Sequence, residues 1–152
     1  PTVSNIRPTS RGHVSIVDKD SRTYAKIKQN YLSTDHDRMI AAKGLKLTRK
    51  IIMESETFKK YTPEEYRPGI HLNDDEELVK EASNYAQTIF HPVGTCKMGS
   101  DDEAVVNDKL SVRGIQNLRV IDASIMPNIT SGNTNAPTIM IAEKGADMIL
   151  LN

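Results

Sequence analysis

The sequence predicts an α+β fold: an antiparallel sheet packed against helices, with a strand, loop and helix closing the chain. Three observations carry that expectation. Two short extended stretches, one rich in β-branched residues and one with Ile27 on one side and basic residues on the other, lie close together near the start. Apolar residues then recur at helical spacing, and a turn-rich loop separates a compact apolar strand from a last helical stretch.

Pro8 to Gly12 reads as a loop, and His13 to Val17 alternates polar and apolar residues as a half-buried strand does. Ala25 to Leu32 is a second extended stretch beyond the turn-like Asp18 to Arg22, so the two predict an antiparallel pair. Ser33, Thr34 and Asp35 are capping residues. Ile40, Ala41, Gly44, Leu45, Leu47, Thr48, Ile51 and Ile52 follow near one stripe, which predicts a helix over 35–53.

Pro63, Pro68 and Gly69 break the next stretch into turns. Asn73 is then placed to cap a second helix whose first turn is acidic, with Leu78, Ala82, Tyr85 and Ile89 at core spacing. Pro92 disfavours helical geometry before it, so this helix is expected to run to His91. Residues 99–114 read as turns with a short extended piece, and Leu118 to Ile121 as a strand ending at Asp122. After the turn formers of 127–135, Pro137 is expected at the first position of a final helix.

The chain has 152 residues, a length suited to one domain, and its 38% hydrophobic and 26% charged content suits a chain that buries a core and excludes global disorder. No apolar run approaches the roughly 20 residues of a membrane-spanning helix. One cysteine, Cys96, excludes an internal disulfide, and the four histidines lack zinc-ligand spacing, so no metal is expected. The 20 basic and 20 acidic side chains cancel, although residues 1–50 hold 11 basic and only 4 acidic ones. These charges are interspersed with apolar residues and have little aromatic company, so no nucleic-acid partner is expected.

Two segments suggest chemistry. In HPVGTCKMG, residues 91–99, a histidine stands where a helix is expected to give way to a glycine-punctuated loop. On spacing alone, capping the helix C-terminus is the commoner role for such a residue. In the second segment, 118–151, free N–H groups opening the last helix offer a place for an anion, although an ordinary connection using Asn133 and Asn135 as turn residues explains the pattern as well. Cys96 has no neighbouring base and is given no role. The faces of Tyr61 and Tyr66 suit a quaternary ammonium group, with surface packing the commoner use.

Taken together, HPVGTCKMG, LRVIDASIMP and SGNTNAPTIMIAEKGAD, preceded by RPTSRGHV and KIKQNYL, resemble the C-terminal part of the glucose-methanol-choline (GMC) oxidoreductases, especially their bacterial choline-dehydrogenase-like branch. The resemblance covers nearly the whole chain. It implies a flavoprotein that oxidises an alcohol, with His91 as general base and Asn133 as the donor that positions the substrate oxygen. It also implies FAD contacts from Asp122, Ala123, Asn135, Ala136, Pro137 and Thr138.

No G-x-G-x-x-G fingerprint is present, so the expected partner is an N-terminal FAD-binding domain of a longer enzyme. About 1–111 would then belong to the substrate domain, while 112–152 would return to the flavin domain. An isolated strand from that domain leaves an open edge, which predicts self-association or disorder around 112–136. The implied substrate is a small alcohol, and the implied location is cytoplasmic, with peripheral contact at the inner membrane in the parent. Two alternatives accompany the resemblance: an inert substrate-binding or interaction module, and a relative of the flavin-containing hydroxynitrile lyases.

Overall fold

The computed structural model describes residues 1–151 and divides into two compact units, the first Pro1–Ile89 and the second from Phe90 onward. The α+β class holds. In the first unit, β1 (His13–Ser15) and β2 (Lys26–Lys28) pair antiparallel with His13 opposite Lys28, Val14 opposite Ile27 and Ser15 opposite Lys26. The strands are shorter than the apolar alternation suggests, and Ile16 and Val17 lie beyond the ladder, exposed.

Helix α1 (Asp35–Glu54) starts where the capping residues place it: the Thr34 side chain accepts from the Asp37 backbone N–H. Asp37 turns its own carboxylate toward the N-terminal segment. It accepts from the Asn5 amide (3.1 Å), the Thr9 backbone N–H (2.9 Å), the Thr9 hydroxyl (3.1 Å) and the Ser10 backbone N–H (2.8 Å). The expected apolar stripe is narrower than the sequence suggests, since Leu47 and Ile51 are exposed while Ala42 is fully buried.

The one-turn helix α2 (Glu56–Lys59) leads to a segment held by Arg49. This guanidinium grips both Glu65 oxygens (2.6 and 2.8 Å) and reaches the Gly69 and Leu72 carbonyls and the Asn73 side-chain oxygen. Asn73 is thereby committed, and Asp74 caps α3 (Asp75–Ser83) in its place, accepting from the N–H groups of Glu76 and Glu77. Leu78, Val79 and Ala82 are the buried face of α3, which packs on α1.

Helix α3 stops at Ser83, not at His91. The Ser83 hydroxyl bonds back to the Lys80 carbonyl, and Asn84 closes the turn onto Glu81 and Ala82. Both residue types compete locally for backbone groups and weaken a helix, so the chain leaves it before Pro92 has any effect. Tyr85 and Ile89 consequently lie outside the helix.

The second unit is built on Val106, Leu110, Ile125, Met126 and Ile141, with Val93, Met98, Val120, Ile121 and Met148 among the side chains packed against them. Residues 118–121 are extended but form no regular strand, pairing only at the Ser111–Arg119 bridge. A strand requires a neighbour along its length, and among the described residues this segment has one only there. A 3-10 turn, Ala123–Ile125, follows, and α4 (Asn135–Leu150) closes the unit. No described helix is long and apolar enough to cross a membrane.

Candidate active site

Two segments of the second unit meet at one hydrogen bond. The first is the loop from His91 to Gly99. Its Cys96 N–H donates to the Ser124 carbonyl (3.0 Å) and its Met98 N–H to the Ile125 carbonyl (2.8 Å), which fastens the loop along the 3-10 turn. Val93 and Met98 add side-chain anchors on the core. Gly94 takes φ +87°, a conformation open to glycine, and a Cβ there would stand 3.4 Å from the Met126 carbonyl oxygen.

The second segment is the turn into α4. Ile141 fixes the helix on the same core, and Gly145 lies so close to Ile121 that a Cβ would approach it within 2.5 Å. Thr134 takes the N-cap position with φ −84° and ψ −3°, but its side chain caps no helix N–H. Instead, Thr134 Oγ1 lies 2.9 Å from His91 Nδ1. The Thr134 carbonyl accepts from both the N–H and the hydroxyl of Thr138, which fixes the residue from its other side.

His91 is therefore not a helix cap, because α3 has ended eight residues earlier. It is partly exposed, with its Nδ1 edge held by a threonine that is only 7% exposed, and its Nε2 edge is left for another partner. Asn133 is exposed and immediately precedes Thr134, so the same turn that holds the imidazole presents this carboxamide. Phe90 (φ 63°) and Ser131 (φ 66°) flank the pair in left-handed backbone, which costs about 1–2 kcal/mol per non-glycine residue. Lys97, in the same loop, is tied to Asp101 and Glu103, and the Asp101 hydrogen bond raises its pKa further, so it stays protonated and is no base.

The residues expected at the cofactor lie around the same turns. Asp122 Oδ1 accepts from the Ser124 N–H (2.8 Å) and hydroxyl (2.5 Å) and so starts the 3-10 turn that contains Ala123. Asn135, Ala136, Pro137 and Thr138 form the first turn of α4. Pro137 takes the third helical position instead of the first, still within the turn where a missing N–H loses no helical bond. With Thr134 turned toward His91, no side chain at the N-cap occupies the N–H groups of this turn. They are donors at the positive end of a helix and match the electron-rich edge of a flavin ring.

Thr134 is the residue that the sequence reading missed. A threonine before a helix reads as an ordinary cap, and nothing local distinguishes one that bonds a side chain 43 positions away. Tyr61 and Tyr66, in the first unit, are exposed, and each has a cation of this chain beside its ring. Lys60 lies 4.9 Å from the Tyr61 ring, while Arg67 lies 5.6 Å from Tyr66 and 5.4 Å from Tyr85.

Residues 8–142 match the family model described as GMC oxidoreductase. The chain is 48% identical over 147 residues to the oxygen-dependent choline dehydrogenase of Pseudomonas syringae pv. tomato, covering 97% of this chain and 26% of that protein. The enzyme of the same name from Escherichia coli O17:K52:H18 is 46% identical over the same length and with the same coverage. The chain thus spans about a quarter of the length of these relatives. Among solved structures, pyridoxine 4-oxidase from Mesorbium loti matches with a TM-score of 0.90 at 35% identity, covering 97% of this chain and 28% of that one. Formate oxidase from Aspergillus oryzae, in a variant studied for its FAD modification, matches at 0.88 and 33% identity, covering 95% and 25%.

Proposed function

Because the chain belongs to the GMC oxidoreductase family, we propose that it forms the C-terminal part of an FAD-dependent enzyme that oxidises the CH–OH group of a primary alcohol of the choline class to an aldehyde. The observation that carries this reading is the His91 Nδ1 to Thr134 Oγ1 contact, which fixes an imidazole beside Asn133 and the donor-rich start of α4.

Alcohol oxidation removes a proton from oxygen and a hydride from carbon. His91 Nε2 takes the hydroxyl proton, since imidazole is a base near neutral pH. The Asn133 carboxamide donates to the substrate oxygen and steadies the alkoxide as it forms. Asp122, Ala123, Asn135, Ala136, Pro137 and Thr138 would hold FAD, with the α4 N–H groups facing its electron-rich edge. Bound FAD supplies the acceptor for the hydride.

Residues 112–152 are assigned to the flavin-binding side and about 1–111 to the substrate side. Exposed apolar side chains along α4 support the first assignment: Ile139 (54%), Met140 (59%), Ile149 (55%) and Leu150 (79%) line a helix whose outer face needs cover. An N-terminal FAD-binding domain is the cover proposed, and self-association of copies lacking it is proposed around 112–136.

The test is anaerobic flavin reduction by choline in a full-length protein that carries this chain. His91→Ala should slow reduction by about 10²- to 10⁴-fold. An unchanged rate refutes the assignment, and a flavin that stays oxidised while substrate is consumed points to lyase chemistry.

A further inference from the structure

We propose that Thr134 is a positioning residue that selects the tautomer of His91: its hydroxyl accepts the Nδ1–H, leaving the Nε2 lone pair free to take a proton. The inference rests on the reading of His91 as general base and adds what makes that base competent. A neutral imidazole carries one proton on either nitrogen, and the partner of one nitrogen decides the state of the other. A base working through Nε2 must therefore carry its proton on Nδ1.

The geometry admits this, the hydroxyl being able to accept from Nδ1–H or to donate to a bare Nδ1, and the two directions give opposite tautomers. Thr134 Oγ1 is 2.9 Å from Nδ1, an ordinary hydrogen-bond distance. The threonine is 7% exposed, so water is largely excluded from competing for its hydroxyl. It stands at an N-cap, where a threonine usually serves the helix, yet its side chain makes no capping bond. Its backbone is fixed in turn, because its carbonyl accepts from the Thr138 N–H at 3.0 Å and the Thr138 hydroxyl at 2.6 Å. The imidazole orientation is thus transmitted from α4, which Ile141 seats on the core, through one hydroxyl.

The test reads the tautomer directly. Long-range proton–nitrogen NMR correlations distinguish protonated from unprotonated ring nitrogens in this chain, with the His91 signals identified by their loss in His91→Gln. The wild-type chain should show His91 as the Nδ1–H form. Thr134→Val, which keeps the shape and removes the hydroxyl, should shift it toward the Nε2–H form, and Thr134→Ser should restore it. A backbone amide spectrum unchanged outside the site separates this effect from misfolding. In the full-length enzyme, Thr134→Val should reduce the flavin about ten- to a hundredfold more slowly, with Thr134→Ser close to wild type.

A wild-type Nε2–H form, or a Thr134→Val chain that keeps the wild-type tautomer, overturns the inference. The tautomer spectra decide it without reference to turnover. The effect of His91→Ala on flavin reduction decides the base assignment separately, so the two can fail independently.

Discussion

Asp37→Ala removes an acceptor on which the N-terminal segment of the first unit converges. The carboxylate is 4% exposed and takes two backbone N–H groups, one hydroxyl and one amide from residues 27 to 32 positions earlier. A hydrogen bond to a charged group contributes about 1.5–3 kcal/mol. The four do not add, because the freed donors are partly exposed and regain water. About 3 kcal/mol is therefore the expected loss, the upper end of ordinary substitutions.

The pH dependence has a definite sign. Burial pushes the Asp37 carboxyl up, but the hydrogen bonds from Ser10 and Thr9 outweigh it and hold the pKa below its ordinary value. A carboxyl whose folded pKa is depressed contributes stability that is present above its unfolded pKa of about 3.9 and is lost as pH falls through the folded pKa. Urea unfolding followed by far-ultraviolet circular dichroism, at pH 7 and through the acid range, measures both effects. Hydrogen exchange adds the local readout: the Thr9 and Ser10 amides should be protected in the wild type and exchange freely in Asp37→Ala. A loss below about 1 kcal/mol at pH 7 refutes the reasoning, as does an Asp37→Asn variant with undiminished acid sensitivity.

Two further perturbations test the packing of each unit. Arg49→Lys should cost about 3 kcal/mol in urea unfolding, because one ammonium cannot reproduce the two-pronged grip on Glu65 and also reach the Gly69 and Leu72 carbonyls, and the pair is only 14% and 11% exposed. Lys at neutral cost would show that the grip is not what holds this segment. Gly145→Ala should destabilise the second unit by about 1 kcal/mol, since crowding Ile121 at 2.5 Å exceeds the roughly 1 kcal/mol that alanine gains within a helix. In an Ile121→Ala background the same substitution should become stabilising, as thermal melts of the four variants would show.

The legibility of the sequence followed the range of the interactions. Helix α1 was readable because Thr34 and Asp35 announce its start and the apolar period sustains it. The end of α3 was not, because Pro92 limits where a helix can run, whereas Ser83 and Asn84 decide where it stops. The extended 118–121 segment reads as a strand by composition, but pairing depends on what lies beside it. Asp37 reads locally as an acidic residue complementing a helix dipole, and only the fold brings residues 5–10 to it. At the candidate site, His91 and Asn133 are proposed through family resemblance, while Thr134 looks like any cap.

The polar pair at 91 and 134 is held by apolar surface and backbone bonds, and the magnitudes explain why. Left-handed Phe90 and Ser131 each cost about 1–2 kcal/mol, and one Nδ1 to hydroxyl bond contributes only about 0.5–1.5 kcal/mol net, too little to impose both conformations. Burial of a side chain such as Ile125 or Ile141 contributes about 1.5–3 kcal/mol. Both belong to one core: Ile125 lies in the turn whose carbonyl accepts from the Met98 N–H and Ile141 lies on α4, so each ties one of the two segments that meet at the contact. The hydrogen bond is by comparison a minor contributor to folding. It is free to set the state of an imidazole.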